Sequence, residues 1–88
     1  MATEREEIIA GIVEILKTVR QIKPDKLANI TEETDFITDL GTPSTEMINI
    51  AAKAEQKFDI EFDDDDIDDL GSKVKDFVDL ILDTRTKG

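Results

Sequence analysis

The chain has no cysteine, histidine, tryptophan or tyrosine. Each absence removes a class of chemistry. Without cysteine there is no disulfide staple and no thiolate nucleophile, and without either cysteine or histidine the usual zinc sites cannot form. No imidazole is present to act as a general base, and no phenol to act as an acid. Cations are scarce as well: 11 Lys and Arg face 22 Asp and Glu, a formal charge of −11 with a pI near 4.2. Nucleic-acid binding depends on clustered cations that release counterions from phosphates, so it is excluded as an expectation. Docking on anionic lipid is disfavoured for the same reason. Long apolar runs are also missing. The longest, residues 8–13, contains Gly11 and follows an acidic cluster where a secretory signal needs positive charge. Nothing approaches the roughly 20 apolar residues of a membrane span. The expected setting is the cytoplasm, with no nucleic acid and no membrane as partner.

Eighty-eight residues suit one domain, expected over 1–88. A chain of this size buries roughly 60% of the surface its unfolded form exposes. The 39% hydrophobic content argues against disorder despite the charge. In the first segment, from about Thr3 to Gln21, Ile8, Ile9, Ile12, Val13, Ile15, Leu16 and Val19 recur at steps of three and four, the stripe of an amphipathic helix. Pro24, with Lys23 held extended before it, should end that structure. Residues 23–41 read as a long connection anchored by Leu27, Ile30, Phe36, Ile37 and Leu40 and closed by Gly41. A second helix should start at Thr42 and Pro43, with Thr42 as N-cap and Pro43 at the first helical position. Met47, Ile50, Ala51, Ala54 and Phe58 form its inward face to about Lys57, and Ile60 to Phe62 read as an extended connector. The acid run 63–69 suits the start of a short third helix with only Ile67 and Leu70 as apolar teeth. Gly71 should end it and Ser72 should cap a fourth helix carrying Val74, Phe77, Val78, Ile81 and Leu82 to about Arg85, with 86–88 frayed. The expected fold class is all-α: a four-helix bundle with a long first loop and a short third helix.

The acid run 63–69 carries enough oxygen to attract calcium, but where an EF-hand loop needs glycine at its sixth position the run offers another acid. A solvated helix start explains the run, so no metal site is assigned. Carboxylate pairs abound in a chain one quarter acidic and carry little information. A catalytic carboxyl needs a desolvated setting beside a substrate cleft, which so small a core can scarcely build, and no enzymatic activity is expected. Ser44 has no histidine or nearby lysine to activate it as a nucleophile. On the residues alone it reads as an ordinary N-terminal helix residue. A phosphate group on its oxygen would also be well placed there, beside free amides and the positive end of the helix dipole.

The run Asp35-Phe36-Ile37-Thr38-Asp39-Leu40-Gly41-Thr42-Pro43-Ser44 resembles the acyl carrier protein signature, in which F-x-x-D-L-G leads into an Asp-Ser-Leu attachment motif. Residues 54–62, Ala-Glu-Gln-Lys-Phe-Asp-Ile-Glu-Phe, are similar to that family's close of helix two, and the likeness covers roughly residues 6–83. The resemblance implies an acyl-carrier-like bundle that acts as a carrier and not a catalyst, with 4′-phosphopantetheine attached covalently to Ser44 and acyl groups held as thioesters on its thiol. A chain without cysteine can do such chemistry only on an imported sulfur. Its implied role is fatty-acid, lipid or polyketide-type synthesis. The implied partners of this monomer are a phosphopantetheinyl transferase and acyl-transferring or condensing enzymes with basic patches. Asp39, Glu46, Glu55, Glu61 and Asp64 fall at or near positions where family members meet those patches, and Ile48, off the inward stripe, is a candidate apolar contact.

Two departures stand out. The family's Asp before the attachment serine is Pro43 here, and the Leu after it is Thr45, while Asn49 and Gln56 occupy positions that are often acidic. A specialised carrier with its own enzymes fits this pattern. The alternative is an unmodified acidic helical interaction module. Ala51, Ala52 and Ala54 replace bulkier residues common in the family. Either the core collapses tightly around them, or they leave space for acyl chain among Ile50, Ala54, Phe58, Phe62, Ile67, Leu70 and Phe77.

Overall fold

The computed structural model describes residues 3–87, and the bundle is all-α as expected. Helix α1 spans Glu4–Leu16, a 3-10 helix spans Pro24–Asn29, α2 spans Ser44–Phe58, α3 spans Asp64–Asp68 and α4 spans Val74–Lys87. Among the described residues the only β-type pairing is an isolated bridge between Asp35 and Lys73.

Helix α1 starts where Thr3 accepts the Glu6 amide at 3.1 Å, and three glutamates in its first turn face the positive end of the dipole. The regular helix stops at Leu16, short of the expected Gln21. The chain continues through tighter turns, with Thr18, Val19 and Ile22 amides bonded three residues back, while the Thr18 hydroxyl donates to the Ile15 carbonyl at 2.6 Å. Such local side-chain bonding competes with the α pattern, and three-residue spacing still buries both Val19 and Ile22. Lys23 is extended as expected, but Pro24 opens the 3-10 helix instead of ending structure, since its fixed φ and missing N–H suit a first position.

Helix α1 packs on both α2 and α4. The core joins Ile8, Ile12 and Leu16 from α1, Ile50 and Ala54 from α2, and Val74, Phe77, Val78 and Ile81 from α4. The long loop closes it with Phe36, fully buried and edge-on to Phe77 at 5.0 Å between ring centres. Buried Gly11 leaves α1 a notch filled by the Phe58 ring, whose tip would lie 2.6 Å from a Cβ there.

Two expected caps are absent. Pro43, not Thr42, is the N-cap residue of α2, and it makes no side-chain cap bond. Thr42 is drawn inside with 1% exposure because Phe36 and Leu40 pull the preceding turn into the core. Its amide donates to the Phe36 carbonyl at 2.9 Å and its hydroxyl is buried without a partner. Asp63 likewise makes no cap bond to α3, so the acids of that helix act only through the dipole. Ser72 does not cap α4. Its hydroxyl donates to the Asp35 carboxylate at 2.7 Å, and Asp76 accepts the Lys73 amide instead. Gly71 leaves room for the Asp76 carboxylate, which would have to move aside for a Cβ at that position. Of the three residues expected to fray, Thr86 lies within α4, which runs to Lys87, and Gly88 lies outside the described residues.

Candidate functional site

Because Thr42 is held inside and Pro43 turns the chain, Ser44 becomes the first residue of α2 and stands exposed. Its hydroxyl makes no hydrogen bond among the described residues. The first amides of a helix lack intrahelical acceptors and carry the positive end of its dipole. Pro43 contributes none, having no N–H, and Glu46 donates back to the Pro43 carbonyl at 2.9 Å. Ser44 therefore sits at an anion-tolerant end of a fifteen-residue helix.

A groove of about 310 Å³ opens beside it. One wall is Ile37, Ser44, Met47 and Ile48; the other is Ile67, Leu70 and the turn at Gly71 and Ser72. Sequence reasoning placed Ile37 and Met47 on the core side. Both border the groove because the buried pair Phe36 and Leu40 turns Ile37 outward, to 39% exposure, and Met47 is only half-buried at the edge of the inward stripe. The signal for Ile37 was present: an apolar residue directly after a core anchor in a tight turn.

The seven residues expected to surround an acyl chain are distributed over three places. Ile67 and Leu70 line the groove. Ile50, Ala54, Phe62 and Phe77 lie in the packed core. Phe58 turns away, into the Gly11 notch and under the Arg85 guanidinium at 5.3 Å, and borders a second cleft of about 750 Å³. That cleft lies at the far end of α2, roughly 20 Å along the axis from Ser44 at 1.5 Å per residue, and its walls include Asp59, Glu61, Asp63 and Asp66.

The acids expected to meet partners also divide. The Asp39 carboxylate accepts the Asp35 amide at 2.8 Å, and its carbonyl accepts the Lys26 ammonium at 3.3 Å. Glu55 accepts the Phe62 amide at 2.8 Å, tying the end of α2 to the connector. The carboxylates of Glu46, Glu61 and Asp64 make no hydrogen bond or ion pair among the described residues. Ile48 is 63% exposed beside the groove, an unusually open position for so large an apolar side chain. Among the described residues no three acids converge in an arrangement that could hold a metal ion. No helix there is long and apolar enough to cross a membrane.

An exposed hydroxyl in the first turn of α2, at the end of a D-L-G turn and beside an apolar groove, is the arrangement that comparison with known proteins accounts for. Residues 9–81 match the family model described as a phosphopantetheine attachment site. The chain belongs to the acyl carrier protein family. It is 42% identical over 67 residues to the meromycolate extension acyl carrier protein of Mycobacterium leprae, covering 76% of this chain and 56% of that one. A protein of the same name from Mycolicibacterium smegmatis is 39% identical over 67 residues, covering 76% and 65%. The acyl carrier protein of Thermobifida fusca is 35% identical over 81 residues, covering 92% of this chain and 98% of its own length. The chain spans between about half and two thirds of the length of the mycobacterial relatives. The matched family model is the site at which 4′-phosphopantetheine is attached covalently. The residues present fit that group: Ser44 offers an accessible hydroxyl at a helix start suited to a phosphodiester, with apolar surface alongside. When attached, the group supplies the thiol that this chain lacks.

Proposed function

We propose that Ser44 is the attachment point and that this chain, acting as a cytoplasmic monomer and not as an enzyme, presents acyl thioesters to separate enzymes. The observation that carries the reading is the exposed Ser44 hydroxyl in the first turn of α2, opening directly on the groove. In this proposal the groove shelters the first part of a cargo chain between Met47 and Leu70. At about 310 Å³ it is at the lower end of the roughly 300–1,000 Å³ typical of ligand pockets. A long chain would therefore be carried partly outside it.

The partners proposed are a phosphopantetheinyl transferase and acyl-transferring or condensing enzymes with basic patches. The unbonded carboxylates of Glu46, Glu61 and Asp64 support an electrostatic approach, and Ile48 supplies an apolar contact next to Ser44. Asp39 and Glu55 contribute to the same field while also bracing the backbone. Pro43 and Thr45, both exposed beside Ser44, support enzymes specialised for this carrier, since the acid and leucine usual at those positions are missing from its surface.

Coexpression with several phosphopantetheinyl transferases followed by intact-mass measurement tests the reading. A mass increase of one phosphopantetheinyl unit, abolished by Ser44→Ala, is expected. No increase with any transferase would favour an unmodified acidic interaction module built on the same fold.

A further inference from the structure

We propose that the Asp35–Ser72 hydrogen bond is a latch that sets the width of the groove beside Ser44, making Ser72 a positioning residue for how deeply cargo is shielded. This rests on the reading of Ser44 as the attachment point. The two groove walls come from chain segments far apart in sequence, the turn after Asp35 and the end of α3, and besides backbone bonds one carboxylate side chain joins them. One Asp35 oxygen accepts the Ile37 and Thr38 amides at 2.8 and 2.9 Å, shaping the turn that presents Ile37 to the groove. The other accepts the Ser72 hydroxyl at 2.7 Å. Ser72 directly follows Leu70 and Gly71 on the opposite wall.

Apart from this bond, the wall rests on partial packing of Ile67 and Leu70 against the core. Helix α3 has no buried residue, and no side chain caps its start. It is anchored upstream by buried Phe62, whose amide donates to the Glu55 carboxylate at 2.8 Å, and downstream, where the Phe36 amide donates to the Ser72 carbonyl at 2.7 Å and the Val74 amide to the Thr34 carbonyl at 2.9 Å. In this proposal the Phe36–Ser72 backbone bond, the one of these nearest α3, is the pivot for the angle of the α3 wall. A second bond from the same residue, directed to Asp35, fixes the angle. Regions with few buried apolar contacts open locally at low free energy, so this second bond has leverage on α3 that it would lack on α1 or α4.

Amide hydrogen exchange on the protein without its arm tests the latch by itself. Ser72→Ala should speed exchange at Ile67, Asp69 and Leu70 about tenfold, the effect of losing one hydrogen bond to a charged group, and leave α1 and α4 unchanged. Ser72→Thr, which keeps the hydroxyl, should restore wild-type rates. Unchanged exchange in α3, or equal acceleration in every helix, overturns the latch. The second measurement uses carriers loaded with acetyl or octanoyl groups and follows thioester cleavage by hydroxylamine. Ser72→Ala should speed cleavage of octanoyl several-fold and leave acetyl unchanged, a split that general destabilisation would not produce. Equal rates for octanoyl in variant and wild type overturn the shielding role. A chain that accepts no arm overturns the reading of Ser44 and the shielding role with it, while the exchange result still decides the latch.

Discussion

Helices α3 and α4 are neighbours joined by a short turn, and each has acids in its first turn, but they are held in opposite ways. Helix α4 buries Val74, Phe77, Val78 and Ile81 completely, whereas α3 buries none of its residues. Four apolar residues at three- and four-residue steps make a continuous stripe that a core can grip; Ile67 and Leu70 make only one contact row. The difference teaches that a helix of this bundle can be either a structural member or a wall, depending on how many turns its stripe spans. The wall is the one beside Ser44.

Substitution should expose the contrast most strongly. Phe77→Ala, which removes a fully buried ring in contact with Phe36, is expected to cost about 3–5 kcal/mol. For a domain whose whole stability is roughly 5–15 kcal/mol that is close to unfolding. Ile67→Ala, in the half-buried row of α3, should cost about 1 kcal/mol. Urea titration with a common slope separates the two, and equal losses would end the distinction between member and wall.

Acid should act next, at the junction between the two helices. The Thr38 amide first, and then the Ser72 hydroxyl, hold the Asp35 carboxyl below its usual 3.8. A depressed carboxyl contributes stability that is present above its unfolded value and is lost as pH falls through the folded one. Wild type should thus lose this contribution only below about pH 4. Asp35→Asn should melt lower at neutral pH and decline less steeply in acid, and identical slopes in thermal melts would show the carboxylate to be idle.

The smallest effect belongs to the far end of α2. Asp59 closes that helix in the left-handed region at φ 55°, and its amide bonds the Glu55 carbonyl. Glycine adopts that conformation without strain, so Asp59→Gly should gain a few tenths to 1 kcal/mol and leave Ser44 and its groove untouched. A loss measured by the same urea titration would mean that the Asp59 side chain contributes more than the backbone strain costs.

Much of this architecture was legible beforehand, for stated reasons. The 3.6-residue stripes of α1, α2 and α4 placed the helices, and the family likeness of residues 35–44 placed Ser44. The ends were misread where core packing or a distant partner claimed a short polar side chain. Thr42 and Ser72 both look like N-caps, because Ser and Thr favour caps when nothing else competes. Here the core draws Thr42 inward, and Asp35, 37 residues away in sequence, takes the Ser72 hydroxyl. The residues expected around an acyl chain fall in separate places for a related reason: helical spacing shows which residues share a face, but not what covers that face. Phe58 shares a stripe with Ile50 and Ala54, yet it points into a notch that exists only because residue 11 of another helix is glycine.

The amino-acid order by itself determined the order of the four α-helices, the acidic field, the absence of any native thiol and the serine available for attachment. These depend on composition and on periodicities within a few turns of chain. Only the tertiary structure decided that Ser44 faces a groove, that Ile37 and Met47 line it, and that Asp35 and Ser72 hold its two walls together. A groove is the space left between separate segments, and its shape follows from packing contacts and hydrogen bonds that no local pattern encodes.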